Sequence, residues 1–165
     1  MATHSSDLAR LWQYFATLYK QRSSGQLLWG EPDSGVIFHF DHGRLIWSSG
    51  EIHRHRRWQR AIKSLNLETQ ITEKIDGLTI SLMHQGVEHW GYQTLVQGVS
   101  EGHLSLNQAR SVAQCLLQEQ LFTLPGIRKT QWISEKALVF SSESLLPMSN
   151  LRSAIEEVVG WRQEW

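Results

Sequence analysis

The run Val36-Ile37-Phe38-His39-Phe40-Asp41-His42-Gly43-Arg44-Leu45-Ile46-Trp47-Ser48-Ser49 decides the fold. Branched and aromatic side chains fill both of its halves, a composition suited to the pleated, half-buried surface of a strand. Between the halves, Asp41-His42-Gly43 is turn chemistry, with glycine where a positive φ is needed. The run therefore reads as a β-hairpin with strands at 36–40 and 44–49, ended by Gly50. Upstream, residues 26–29 form another short strand-like run, joined to the hairpin through the turn residues Glu31-Pro32-Asp33-Ser34-Gly35.

Helical periods flank this meander. Ser5-Ser6-Asp7 offers a cap, and Leu8, Leu11, Trp12, Phe15, Leu18 and Tyr19 recur at three- and four-residue spacing, predicting a helix up to about Arg22. After Gly50 a second helix is expected over 51–65. Trp58, Ala61, Ile62 and Leu65 make its apolar stripe, and His53, Arg54, Arg56, Arg57, Arg60 and Lys63 take most of its other positions. Residues 67–82 carry scattered apolar side chains with a turn signal at Asp76-Gly77, and 90–99 reads as a helix ended near Gly102. Ser105 followed by Gln108 is a capping-box pattern that opens a helix through Ala109, Val112, Leu116 and Leu121, broken at Leu124-Pro125-Gly126. Residues 129–133 and 137–140 read as a second, smaller pair of strands about the turn Ser134-Glu135-Lys136. Ser149 caps a last helix through Leu151, Ile155 and Val158 to Trp161 and Trp165. The layout is α+β, with a mostly antiparallel sheet and flanking helices.

The chain has 165 residues, which suits a single domain over 1–165. Its 16 basic and 16 acidic residues cancel, so there is no overall positive field of the kind that draws proteins to nucleic acid or anionic lipid. A lone cysteine, Cys115, in an apolar helical run reads as a core thiol in a reducing compartment. The N-terminus carries no basic region followed by an apolar one, and no apolar stretch approaches the roughly 20 residues that span a bilayer. The expectation is a cytoplasmic protein without membrane insertion. Eight tryptophans are many for this length, and some are expected half exposed at a binding surface, with a homodimer among the options.

The densest feature is the basic helix. Arg54, Arg56, Arg57, Arg60 and Lys63 are the candidate partner-binding residues, offered to a partner's acidic surface. The alternative is a nucleic-acid-binding regulator using the same helix, 51–65. Against it stand the position of Trp58 on the apolar stripe and the absence of a second basic or aromatic-studded track. His53 and His55 diverge on a helix, and His39 and His42 straddle a hairpin bend. A metal site there would need Asp41 or His89 to converge, so no metal is expected. There is no nucleophile elbow, no P-loop and no dinucleotide-binding glycine pattern, and Glu156-Glu157 diverge on a helix. The expectation is a non-enzymatic protein with no cofactor.

The hairpin block through Gly50, followed by His55-Arg56-Arg57-Trp58-Gln59-Arg60, resembles the PATAN domain of cyanobacterial response regulators. In that family a strand ending in an aromatic meets G-[RK]-L-[IL]-[WY]-A-[ST], and a helix with R-R-[WL]-x-R follows. Gly102-His103-Leu104-Ser105-Leu106-Asn107-Gln108-Ala109, continued by Glu119-Gln120-Leu121-Phe122, is similar to a second family block. Trp161 and Trp165 resemble its closing tryptophan pair with altered spacing. Departures are Ser48, where alanine is usual, and Thr123, where an acidic residue is frequent. The resemblance implies a signal-transduction module that contacts protein partners such as the pilus extension motor, in type IV pilus motility, phototaxis or cell patterning. It also implies a helical insertion, placed by analogy at 67–125. The family usually precedes a phosphorylatable receiver domain. None is present here, so a stand-alone member or an excised domain is expected.

Overall fold

A computed structural model describes residues 2–31, 34–50, 54–124, 130–134, 145–146 and 148–164, with the side chains of 2–6, 148–150 and 161–164 excepted. In order come α1 (Ala2–Gln21), β1 (Gly25–Trp29), β2 (Val36–Asp41), β3 (Arg44–Gly50), α2 (Arg54–Lys63), α3 (Thr69–His84), α4 (Trp90–Ser100), α5 (Leu106–Phe122), β4 (Thr130–Ile133) and α6 (Met148–Glu164). The fold is α+β, with all described strand pairs antiparallel and the sheet order β3-β2-β1-β4.

The hairpin forms as its residues demand. Asp41 pairs with Arg44, leaving His42 (φ 51°) and Gly43 (φ 83°) as a two-residue loop with both φ positive, the condition for a turn whose twist matches the strands. Gly43 is required twice over, because a Cβ there would lie 2.7 Å from the Leu18 carbonyl oxygen at the end of α1. One irregularity sorts the side chains of β3. Phe40 faces Leu45 and His39 faces Trp47, so Ile46 is an extra residue on β3. This bulge sends Leu45 and Trp47 to opposite faces, where regular alternation would have put both on one.

Each face of the hairpin is then covered by helix. α1 lays Phe15 edge-on against Phe38 and Phe40, at 5.1 and 5.4 Å between ring centres, with Leu8 and Leu11 fully buried beside it. On the other face Trp47 meets Tyr92 of α4 at 5.5 Å, and Gln120 of α5 donates to the Ser48 carbonyl. α5 starts with the expected capping box: Gln108 N–H donates to Ser105 Oγ and Ser105 N–H to Gln108 Oε1. It also packs on α2 and α6, so this helix belongs to the main core.

The structure departs from the sequence reading in several places. Asp76 and Gly77 lie inside α3 and make no turn. Ile71, Ile75 and Leu82 recur on one side of that helix and pack into the core, a gain that outweighs the roughly 1 kcal/mol cost of an internal glycine. The strand at 130–133 joins the main sheet beside β1 and does not found a second one. Lys129 and the strand expected at 137–140 lie outside the described residues. α6 already includes Ser149, so that residue is not its cap. Of the tryptophans described, Trp29, Trp47, Trp58 and Trp90 are buried, and only Trp12 and Trp132 are half-buried. Cys115 is half-buried, and burial raises its thiol pKa above the ordinary value. Among the described residues no helix is long and apolar enough to cross a membrane.

Candidate partner-binding surface

α2 has an inward and an outward side, and its cations divide between them. Trp58, Ala61 and Ile62 are buried, and Arg57 is buried with them, because position 57 falls on the same arc of a 3.6-residue turn. Its Nη2 donates to Thr123 Oγ1 at 2.8 Å, and its Nε lies 3.9 Å from Glu119 Oε2. Burial lowers the Arg57 pKa, opposed by Glu119 and assisted by Arg60. Arg60 donates from Nη2 to the same Glu119 oxygen at 3.0 Å. Arg54 places its guanidinium 5.2 Å from the centre of the Trp90 ring and reaches the Glu88 carbonyl at 3.4 Å, a cation–π contact across the start of α4.

The expectation of five free cations therefore needs correction. Arg57 is turned into the fold, Arg60 is paired, and Arg54 is stacked. Arg56 and Lys63 remain exposed, with no ion pair among the described residues. Glu51 to His53, the expected start of this helix, lie outside the described residues.

Two recesses adjoin α2. The first is lined by Trp47, Trp58, Trp90, Arg54, His89 and Gln120, and its open space is about 30 Å³, room for only one or two waters. α4 approaches this closely because position 91 is glycine: a Cβ would sit 3.3 Å from both the Trp47 and Trp58 rings. The second is a groove of about 530 Å³ between α2 and α3, within the size range of sites that take ligands or partner side chains. Trp58, Ile62 and Ile80 line it, with Lys63 on the α2 wall and Asp76 on the α3 wall. Along α3, Asp76, Ile80 and Met83 follow at i, i+4 and i+7, and Ile80 and Met83 are 54% and 38% exposed, large for apolar side chains on one stripe.

Among the described residues the histidines lie apart or in a pair. His42 turns its Nδ1 to Asp41 Oδ1 at 2.7 Å. His89 does reach His39, with ring centres 4.7 Å apart and edge to face, but among the described residues no three ligand side chains converge. His39 is buried, its Nδ1 has no hydrogen-bond partner among the described residues, and burial followed by His89 lowers its pKa to about 3. Burial also lowers the His89 pKa despite Glu88, with Arg54 adding to the effect. Both rings are therefore neutral near pH 7. Tyr92 is raised to about 12, by burial first and then by Asp41.

The sequence reading missed Glu119, which gathers two of the arginines, and the exposed stripe of α3. The stripe had a signal: 76, 80 and 83 are spaced as one helical face opposite Ile71, Ile75 and Leu82. The Asp76-Gly77 turn signal masked it. No family model matches the chain, and no curated protein or solved structure matches it.

Proposed function

We propose that this chain is a non-enzymatic signalling module that binds a protein partner in the cytoplasm, of the PATAN kind that its hairpin and basic-helix sequence resembles. By that resemblance its setting is regulation of type IV pilus motility, phototaxis or cell patterning, with the pilus extension motor as a candidate partner. The observation that carries the reading is one groove with exposed Ile80 on its α3 wall and the exposed cation Lys63 on its α2 wall; outside the groove, Met83 is also exposed on α3 and Arg56 on α2. Exposed large apolar side chains bordered by charge are the composition of a docking surface. With Arg57 and Arg60 both at Glu119, less of the basic helix is left for a phosphate backbone, which favours protein over nucleic acid.

The test is co-precipitation from native cells with the tagged chain, comparing wild type with the double variant Arg56→Glu, Lys63→Glu. Wild type is expected to retain a specific protein in a salt-sensitive manner, and the double variant to lose it. Retention unchanged by both salt and the double substitution would reject the reading. A gel shift of the wild type on duplex DNA at moderate salt would replace it with the nucleic-acid alternative.

A further inference from the structure

We infer that the groove between α2 and α3 is an acceptor for one amphipathic helix of a protein partner, a helix with an acidic flank and a basic flank. This rests on the protein-binding reading above and adds the kind of partner and its orientation.

Three features of the groove define the occupant. Its apolar lining comes from Ile80 on α3, which is exposed with nothing covering it among the described residues, and from the largely buried Trp58 and Ile62 on α2, with Gln59, Asn66 and Thr72 among its polar lining. Its two walls are helices, so no strand edge is offered for an extended peptide to pair with. A helix laid between two others packs ridges into grooves on both. Its rims differ in charge: Lys63 stands on the α2 side, with Arg56 beyond it, and Asp76 stands on the α3 side, with Glu73 one turn before it. An incoming helix meets both rims favourably only with carboxylates toward α2 and cations toward α3. That charge difference sets the direction in which it lies.

Length follows from the walls. α2 has 10 residues, about 15 Å of helix at 1.5 Å per residue, so the contact spans about three turns of the incoming helix. Its apolar anchors are then expected at i, i+3 or i+4, and i+7.

The experiment titrates the full chain, labelled at isoleucine and methionine methyls, with two helical peptides about 14 residues long. Both carry leucines at the anchor spacing. One has glutamates on one flank and lysines on the other, and the second has lysines on both. The methyls of Ile62, Ile80 and Met83 are expected to shift with the first peptide, which binds about tenfold more tightly than the second. Lys63→Glu should reverse that order, and Ile80→Asp should abolish binding of both. Both side chains are exposed, so far-UV circular dichroism should show each variant folded. Shifts confined to other methyls, no binding, or an order unaffected by Lys63→Glu would each overturn the assignment. So would a dimer of the free chain that Ile80→Asp dissociates, since a second copy would then be the occupant. In the co-precipitation, a partner lost with Arg56→Glu, Lys63→Glu but kept with Ile80→Asp rejects the groove and leaves the module reading standing. Specific peptide binding with no partner retained from cells rejects the module reading alone.

Discussion

Acid should weaken this fold through one buried histidine. His39 on β2 is 1% exposed. From β3 it meets Ser49, whose hydroxyl lies 3.4 Å from Nε2, and cross-strand Trp47; on β1 it pairs with Gln26. From the sheet face it meets the His89 ring, behind which stand Glu88 and Arg54. Among the described residues none of these contacting groups is an anion, and its pKa is lowered from 6.5 to about 3. A histidine lowered by folding binds its proton more readily once the chain unfolds. Its contribution is therefore complete above about pH 6.5 and drains as pH falls toward 3. Each pH unit within that window costs about 1.4 kcal/mol, so near pH 5 the loss is about 2 kcal/mol. Set against the 5–15 kcal/mol typical of a domain, that is a large share.

The perturbation that isolates this effect is His39→Gln, which keeps a hydrogen-bonding group near Ser49 and removes the titration. Urea unfolding of both proteins, followed by near-UV circular dichroism from about pH 7 to about pH 5, gives the two stability curves. The wild type is expected to lose about 2 kcal/mol more than the variant over that interval. Carboxylates and His89 titrate in both proteins and cancel to first order in the difference. Parallel curves would refute the reasoning, as would a His39 ring that titrates by NMR at the ordinary 6.5.

Other substitutions check the packing. Gly77→Ala adds a methyl in open space on exposed α3 and should stabilise the chain by about 1 kcal/mol in urea melts. Ser105→Ala removes the reciprocal cap of α5 and should cost about 1 kcal/mol by the same measurement. Arg57→Ala strips a buried stem and leaves Glu119 and Thr123 without that partner, for a loss of about 2 kcal/mol. Arg60→Ala, at a side chain 64% exposed, should cost less than about 1 kcal/mol. Equal losses at 57 and 60 would contradict the inward placement of Arg57.

What could be read from the chain was what neighbours in sequence decide. The hairpin turn, the stripe of α2 and the Ser105 cap each depend on residues within about one turn of one another, so period and turn chemistry sufficed. The misreadings at β4, Arg57 and His39 share the opposite property. Strand β4 could be recognised as a strand, but its place beside β1 joins Trp29 to Thr130, a pairing that no local pattern encodes. Arg57 could be placed on a helix, but its inward turn is settled by Thr123, 66 positions away, and by Glu119. The same holds for His39, an ordinary strand residue in sequence until His89 closes over it.

This division bears on how the binding surface should be sought. A count of arginines on α2 ranks 57 with 56, yet their electrostatic positions differ: one is spent on holding α2 to α5, the other faces water. Charge reversal at Arg57 would damage the fold and mimic a loss of binding. The same reversal at Arg56 or Lys63 changes only the field a partner meets. A mutational scan that treats the five cations as equivalent would therefore find its largest effect at a residue buried within the fold. The informative comparison is between exposed positions on the two walls, Lys63 against Asp76, where opposite charges predict opposite responses to the same ligand.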